Sequence, residues 1–298
     1  MKIFIEATGS LISNYLIKSI KEAGYFVVGS DINELNHGKV LCDDFIVMPK
    51  LGDTHLWDKT LDLLIEHKVN AVIPSLDETM IEWAKRKELF RSKGIEVFVS
   101  KPQTIEIFQD KYKTYQFFKS IDIDTPKTSQ KAEFELIKPR LGRGGSGIFV
   151  NDFKTEICME KYISQEKIYG QEYTVDVFFD NKNDPVYIIP RMRIDVRDGK
   201  STKGEVVKNE KIEQLIIKIS QHIEFLGAIN FQLFITDKEE IVMIEVNPRI
   251  AGGMALGFAA SENWIPLMVN NLIYEKNISK TCIKYGMKMY RYYDEVFI

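Results

Sequence analysis

Two spacings of apolar residues alternate along the first third of the chain. Short runs rich in β-branched and aromatic residues occur at 2–7, 25–29, 45–48, 71–74 and 96–99. Between several of them, apolar residues recur every three or four positions, over 11–24, 56–68 and 80–92, which is typical of helices with one buried face. Strands that alternate with helices predict an open parallel sheet of the α/β class.

The rest of the chain predicts fewer helices and more strands. A helix is predicted over 111–120, followed by two strands at 135–140 and 148–150 that flank a glycine-rich loop. An amphipathic pattern predicts a further helix over 210–225. Residues 195–208 carry several basic side chains and two glycines, and this composition predicts a mobile basic loop.

A hairpin is predicted between Gly227 and Arg249, where two apolar runs flank the charged segment 237–240. A loop of that length pairs Thr236 with Ile241, Phe234 with Met243, Gln232 with Glu245, and Asn230 with Asn247. Paired residues share a face of the sheet. Phe231, Leu233, Ile244 and Val246 then point into a core.

The polar face of this hairpin predicts a metal site. A Glu carboxylate beside Asn and Gln carbonyls is a ligand set that suits a hard cation such as Mg²⁺. Arg249 follows a proline and places a positive charge beside the same patch. A solvated hairpin face is the alternative, but Glu245 and Asn247 lie within an apolar strand, and this favours a metal–nucleotide site.

The glycine-rich loop Gly142–Gly147 is a candidate phosphate site, because its backbone N–H groups can surround an anion. It is not a Walker A loop, since Ile148 stands where that motif has lysine. A flexible surface turn is the alternative, and Lys138 and Arg140 just before the loop favour the phosphate site. Further along, Arg191 and Arg193 indicate an anionic substrate or a solvated basic strand.

Composition excludes several classes of protein. The chain has 298 residues, 28% of them charged, and a formal net charge of -3, which gives no electrostatic case for nucleic-acid binding. Its three cysteines and four histidines are scattered, so no disulfide framework or zinc site is expected. No signal peptide or membrane span is apparent, and we expect a soluble cytoplasmic protein.

A dinucleotide site in the first sheet is a further alternative. Asp31 follows the first turn at the distance expected for a ribose-binding acid, but that turn holds the single glycine Gly9 and lacks G-x-G-x-x-G. A scaffold domain is favoured over an NAD-dependent enzyme.

In order along the chain, these motifs resemble the ATP-grasp superfamily. They are Lys111, Lys138-Pro-Arg140, Gly142–Gly147, Glu160 with Tyr162-Ile163, Gly170-x-Glu172, Gln232, Glu245-x-Asn247-Pro-Arg249 and Gly252-Gly253. The chain looks like stand-alone proteins similar to one half of the carbamoyl-phosphate synthase large subunit. The resemblance implies an N-terminal α/β domain at 1–100, linker helices with a small lid at 101–163, and a C-terminal antiparallel-sheet (α+β) part at 164–298.

The resemblance also implies roles for individual residues. Catalytic residues would be Arg249, Lys138 and Arg191. The nucleotide would be bound by Lys111, Lys138, Gly144, Gly145, Ser146, Gly147, Glu160, Tyr162, Ile163 and Glu172. Metal ligands would be Gln232, Glu245 and Asn247, with Asn230 as a supporting neighbour.

The implied activity is an ATP- and Mg²⁺-dependent ligase, with Mn²⁺ as an alternative metal. It would join a small-molecule carboxylate to an amine through an acyl phosphate. Two departures matter: the chain before Lys138 is short enough to have lost a lid helix, and extra residues separate Ile163 from Glu172. A non-catalytic ATP-binding or regulatory module is therefore the main alternative. The oligomeric state stays open, a homodimer included.

Overall fold

The chain forms two compact units. The computed structural model describes residues 1–10, 13–142, 145–197, 199–292 and 294–297. The first unit comprises Met1–Val99, Glu262–Ser279 and Tyr292–Ile298, and the second comprises Ser100–Ser261 and Lys280–Arg291. The three-part division at 1–100, 101–163 and 164–298 stays a prediction.

The first unit is built on a parallel five-stranded sheet in the order β3-β2-β1-β4-β5, as the alternating pattern predicts. Its strands are β1 Lys2–Ile5, β2 Phe26–Asp31, β3 Asp44–Val47, β4 Ala71–Ile73 and β5 Glu96–Val97. Its helices include α1 Asn14–Glu22, α2 His37–Leu41, α3 Leu56–Glu66 and α4 Asp77–Ser92. The pattern does not predict α2, because five residues are too few to show a helical period. Asn36 caps its N-terminus.

The second unit begins with two helices and a small antiparallel sheet. These elements are α5 Pro102–Gln109, α6 Lys111–Ser120, β6 Thr128–Ser129, β7 Leu136–Pro139, β8 Phe149–Val150 and β9 Tyr162–Gln165. The four strands lie in the order β6-β9-β7-β8. The described residues of 130–158 contain no helix, in agreement with the shortened chain before Lys138. Instead, the Ser164 hydroxyl accepts hydrogen bonds from the backbone N–H groups of Glu133 and Phe134 and so fastens a loop to this sheet.

A six-stranded antiparallel sheet forms the rest of the second unit, in the order β14-β13-β10-β11-β12-β15. The strands are β10 Gln171–Phe179, β11 Pro185–Arg197, β12 Lys200–Val206, β13 Gly227–Ile235, β14 Ile241–Asn247 and β15 Lys288–Tyr290, and the helices are α7 Glu210–Ser220 and α8 Ala255–Ala260. The prediction of a mobile loop at 195–208 is wrong. Most of this segment belongs to β11 and β12, where Arg193 pairs with Gly204. Strand pairing satisfies the backbone N–H and C=O groups, and the composition of the segment does not reveal this pairing.

The core of the second unit lies between the six-stranded sheet and its helices. Ile212, Ile216 and Ile219 of α7 are fully buried there, as the amphipathic pattern predicts. Each buried side chain of this size stabilises the fold by about 1.5–3 kcal/mol. None of the helices in the described ranges is both long and apolar enough to cross a membrane.

Candidate active site

The six-stranded sheet has one apolar and one polar face. Val175, Phe231 and Met243 belong to the core on the apolar face. Paired residues share a face, so the strand registers assign the polar side chains to the other one. They are Glu172, Thr174, Asp176, Arg191, Arg193, Asn230, Gln232, Glu245 and Asn247.

The β13–β14 hairpin pairs Gln232 with Glu245 and Asn230 with Asn247, as predicted. Nearer the loop, the predicted pairing is wrong by one residue. Phe234 lies opposite Val242, and Ile235 lies opposite Ile241, because the register shifts between Gln232 and Leu233.

This irregularity changes which side chain enters the core. Ile244 is the extra residue on β14, and Met243, not Ile244, is fully buried in the core cluster. A bulge of this kind re-aims the residues on one side of it while leaving the others in place. The polar pairs at Gln232 and Asn230 are therefore kept on their predicted face.

Among the three predicted metal ligands, Glu245 contacts both of the others. Oε1 of Glu245 accepts hydrogen bonds from Nε2 of Gln232 at 3.1 Å and from Nδ2 of Asn247 at 2.9 Å. Turning either amide over would present its carbonyl oxygen. One carboxylate with two amide oxygens suits Mg²⁺, which takes few protein ligands and completes its shell with phosphates and water. No group of three or more His, Cys, Asp or Glu side chains with metal-site geometry occurs in the described part of the chain.

Asn230 serves a different partner. Its Nδ2 donates a hydrogen bond of 2.8 Å to Oδ1 of Asp176, and both side chains are buried. Its role as a supporting neighbour of the metal ligands stays a prediction.

Two lysines lie near this cluster. Burial lowers the pKa of Lys138, and the nearby carboxylate of Glu245 opposes that shift. Nζ of Lys138 donates to Oε1 of Gln165 at 2.6 Å. Nζ of Lys111, at the start of α6, donates to the Gly142 carbonyl at 2.8 Å. Lys111 is thus held at the glycine-rich loop, and Lys138 lies near Glu245.

The glycine-rich loop joins β7 to β8. Gly147 has φ +73°, and a Cβ there would lie 2.9 Å from Cγ of Pro139, so this position requires glycine twice over. Gly145 and Ser146 form the turn with it and are exposed. Gly144 lies outside the described residues.

The predicted adenine residues lie within the small sheet or just before it. Glu160 is exposed in a 3₁₀ turn, Tyr162 begins β9, and Ile163 is fully buried beside Lys138. The segment that joins the small sheet to the large one is 166–170. It lines a cavity of about 480 Å³ together with the β13–β14 loop.

Glu172 is held by an arginine. Nη1 of Arg193 donates to its carboxylate across the β10–β11 pair. Burial raises the pKa of Glu172, and the Arg193 guanidinium opposes that shift. Glu245 also raises it, so the two carboxylates are electrostatically coupled.

Arg191 is buried, whereas a side chain that contacts substrate needs to be accessible. Its guanidinium donates to both oxygens of Asp176, at 2.5 and 2.8 Å, and only 1% of its side chain is exposed. In this structure Arg191 contacts Asp176, and its catalytic role stays a prediction. Arg249 is half-buried, and its Nη2 donates to Oδ1 of Asn247, one of the predicted metal ligands, at 3.0 Å.

Comparison with known proteins identifies both parts of the chain. The model of the ATP-grasp domain family matches residues 108–253, and that of the PylC-like N-terminal domain matches residues 3–98. Residues 108–253 form an ATP-grasp domain. The polar face described above lies within these limits.

Curated relatives agree with this assignment. The chain is 23% identical to a carbamoyl-phosphate synthase of Methanobrevibacter smithii over 268 residues, covering 78% of the chain and 70% of the relative. It is 27% identical to an uncharacterised protein of Methanocaldococcus jannaschii over 191 residues, covering 57% of the chain. The chain spans about half (48%) of the length of this second relative.

Solved structures share the fold. Biotin carboxylase of Campylobacter jejuni, solved with a β,γ-ATP ligand, has a TM-score of 0.71 at 16% identity, covering 96% of this chain and 74% of that one. N5-carboxyaminoimidazole synthetase of Staphylococcus aureus, complexed with ADP, has a TM-score of 0.69 at 18% identity, covering 87% and 73%. At these identities the likeness establishes the ATP-grasp fold.

The dinucleotide alternative in the first unit finds no support. The Gly9 N–H, which would meet a phosphate, donates to Oδ2 of Asp31 at 3.1 Å. Asp31 is the acid that would bind the ribose. The predicted phosphate-binding N–H and the predicted ribose-binding carboxylate are therefore hydrogen-bonded to each other.

Sequence reasoning missed several contacts inside the ATP-grasp domain. Asp110 caps α6 and receives the guanidinium of Arg140, which fixes the base of the glycine-rich loop to that helix. An Asp before a helix is a visible capping signal. Its second partner lies 30 residues away, and no spacing rule reveals it.

Proposed function

We propose that this protein is an ATP- and Mg²⁺-dependent ligase that joins a carboxylate to an amine, through an acyl phosphate, with release of ADP and phosphate. The observation that carries the proposal is the Glu245 carboxylate flanked by the amides of Gln232 and Asn247 inside an ATP-grasp domain. The carbamoyl-phosphate synthase and carboxyaminoimidazole synthetase among the similar proteins support it.

In this proposal Gln232, Glu245 and Asn247 hold Mg²⁺, which neutralises phosphate charge when bound. Mn²⁺ prefers similar oxygen ligands and is an alternative. Lys111 and Lys138 bind phosphates, and the described part of the glycine-rich loop donates backbone N–H groups to them. Arg249 stabilises the transferred phosphoryl group or the substrate carboxylate.

We place the adenine contacts in the segment 166–170, a few residues beyond Glu160, Tyr162 and Ile163. The support is its position between the two sheets and on a cavity, whereas the side chain of Ile163 is engaged in packing. Glu172 follows directly and remains the proposed ribose ligand.

The chemistry needs no nucleophilic side chain. A substrate carboxylate oxygen attacks the γ-phosphorus of ATP, the bond to the bridging oxygen breaks, and ADP leaves. The amine then attacks the acyl carbon, loses a proton and expels phosphate, leaving the amide. Positioned cations lower the barrier to the first step, and exclusion of water protects the acyl phosphate.

A non-catalytic ATP-binding module is the second candidate. The observation that favours it is the small sheet, which has a loop at 130–135 in place of a lid helix. A reduced lid excludes less water, so such a protein would bind nucleotide without protecting an acyl phosphate. We also propose a cytoplasmic location, where ATP and small-molecule acids and amines are available, and leave a homodimer as an open alternative.

The test is a screen of carboxylic acids, with amino acids as paired nucleophiles, for ADP release. We expect release that depends on an acid and on Mg²⁺, and a loss of about 100-fold or more in Glu245→Ala. Glu106→Ala, which removes an exposed carboxylate from α5, is the matched control. Mg·ATP binding without ADP release across the screen would favour the second candidate. Unchanged Mg·ATP affinity in Glu245→Ala would overturn the site assignment.

A further inference from the structure

A short turn follows Arg249 and closes on itself. In Ala251–Met254, the Met254 N–H donates to the Ala251 carbonyl at 3.0 Å, and the Ala251 N–H donates to Sδ of Met254 at 3.3 Å. Met254 is fully buried. The turn begins two residues after Arg249, so its position determines where the chain leaves the metal cluster.

One side of this turn packs on a buried ion pair. Asp176 holds Arg191 by two hydrogen bonds and accepts a third from Asn230. A Cβ at Gly253 would lie 2.8 Å from Nη2 of Arg191 and 3.0 Å from its Nη1. A Cβ at Gly257 would lie 2.6 Å from Oδ2 of Asp176. Both glycines let the backbone approach a buried guanidinium and a buried carboxylate that are bound to each other.

A second contact to the turn comes from Arg291, which follows β15. Its backbone N–H donates to the Thr202 carbonyl at 3.0 Å, and its Nε donates to the Ser201 carbonyl at 3.0 Å. Its Nη2 donates to the Gly252 carbonyl. The guanidinium therefore links β12 to the turn, and β15 brings it there by pairing with β12.

We propose that Arg291, through Gly252, and Arg191, through Gly253, are positioning residues that clamp the turn Ala251–Met254 and so orient Arg249 toward the terminal phosphate. This inference rests on the proposed nucleotide site. Arg249 has its own contacts to Asn247, but its backbone is continuous with a turn that both clamps hold. Without these contacts, the backbone between Arg249 and the turn would lose conformational entropy each time nucleotide binds. With them, it is already ordered in the folded protein.

The experiment measures two affinities by calorimetry for each full-length variant. One ligand is the imido-bridged ATP analogue with Mg²⁺, which presents a terminal phosphate, and the other is ADP without Mg²⁺. For Arg291→Ala we expect the first affinity to fall about 10-fold, as outer partners of a site typically do, and the second to change less than about 2-fold. Arg291→Lys keeps one donor and should recover part of the loss. Gly253→Ala, which challenges the other clamp, should show the same split.

Lys288→Ala is the matched control, because Lys288 begins β15, the strand that Arg291 follows, and its ion pair among the described residues is with Glu205. We expect both affinities to match the wild type. A double-mutant cycle with Arg249→Ala tests the mechanism, since a residue that acts through Arg249 should have little further effect when Arg249 is absent.

The outcomes separate the two proposals. If wild-type protein binds neither ligand, the proposed function fails. If wild type binds both, but Arg291→Ala weakens them equally or adds its full effect to Arg249→Ala, then the clamp is only structural and this inference is overturned.

Discussion

Two acids, Glu6 buried in the first unit and Glu172 half-buried in the second, have pKa values shifted in the same direction by different surroundings. Burial raises the pKa of both. The hydrogen-bond partners of the Glu6 carboxylate among the described residues are neutral donors, and they include the Ser75 N–H at 3.0 Å, the Thr79 hydroxyl at 2.9 Å and Nε1 of Trp83 at 2.9 Å. The carboxylate is enclosed by groups that tie β1 to the segment after β4.

Glu172 lies among charged groups. Arg193 pairs with it, and Lys138 and Glu245 act on its pKa from nearby. Charged side chains around a half-buried carboxylate can form new ion pairs with a ligand. The buried neutral donors around Glu6 have no such access to a ligand. A perturbed pKa alone therefore does not locate a binding site, and the charged neighbours decide between a fold-supporting acid and a ligand-binding one.

The largest expected effect is on stability in the first unit. Glu6→Ala leaves the Trp83 indole N–H and the Ser75 backbone N–H buried without an acceptor, and should lower the free energy of unfolding by about 3–5 kcal/mol. Urea unfolding measures the loss. Glu22→Ala, at an exposed position on α1, should change stability by less than about 0.5 kcal/mol.

The same variant tests the contrast between the two acids. At a temperature where Glu6→Ala remains folded, its nucleotide affinity should equal that of the wild type. A selective loss of nucleotide affinity in this variant would contradict the separation of a structural acid from a binding one.

The next largest effect is on binding in the second unit. Lys138→Met keeps the length of the side chain and removes the proposed phosphate contact, so Mg·ATP affinity should fall about 100-fold, or about 2.7 kcal/mol. Stability should change little or rise, because burial already disfavours the charge, as the lowered pKa of Lys138 indicates. Lys131→Met, at an exposed position of the neighbouring loop, is the control. A loss of stability without a loss of affinity would assign Lys138 to the fold.

Sequence periodicity predicts the parallel sheet and the polar hairpin face correctly. The pairs Gln232–Glu245 and Asn230–Asn247 follow from alternation along two strands, which is a local property. The irregularity at Ile244 was not predictable, because it depends on how Met243 packs against helices distant in sequence. Arg191 shows the same limit. Its spacing from Arg193 suggests a basic strand, but only the register with β10 shows that Asp176 neutralises it.

The smallest expected effect is the uptake of a proton when nucleotide binds. It distinguishes the charged surroundings of Glu172 and Lys138 from the neutral surroundings of Glu6. The lowered pKa of Lys138 means that the free protein begins to lose this proton at a lower pH than an ordinary lysine does. Phosphates favour the charged form, so Mg·ATP binding should take up a fraction of a proton as the pH rises toward that pKa. Calorimetry in two buffers with different ionisation enthalpies measures the uptake. Lys138→Arg should abolish it, since arginine keeps its charge throughout, while Glu6→Gln should leave it unchanged. Uptake that persists in Lys138→Arg would mean that another group in the site titrates on binding.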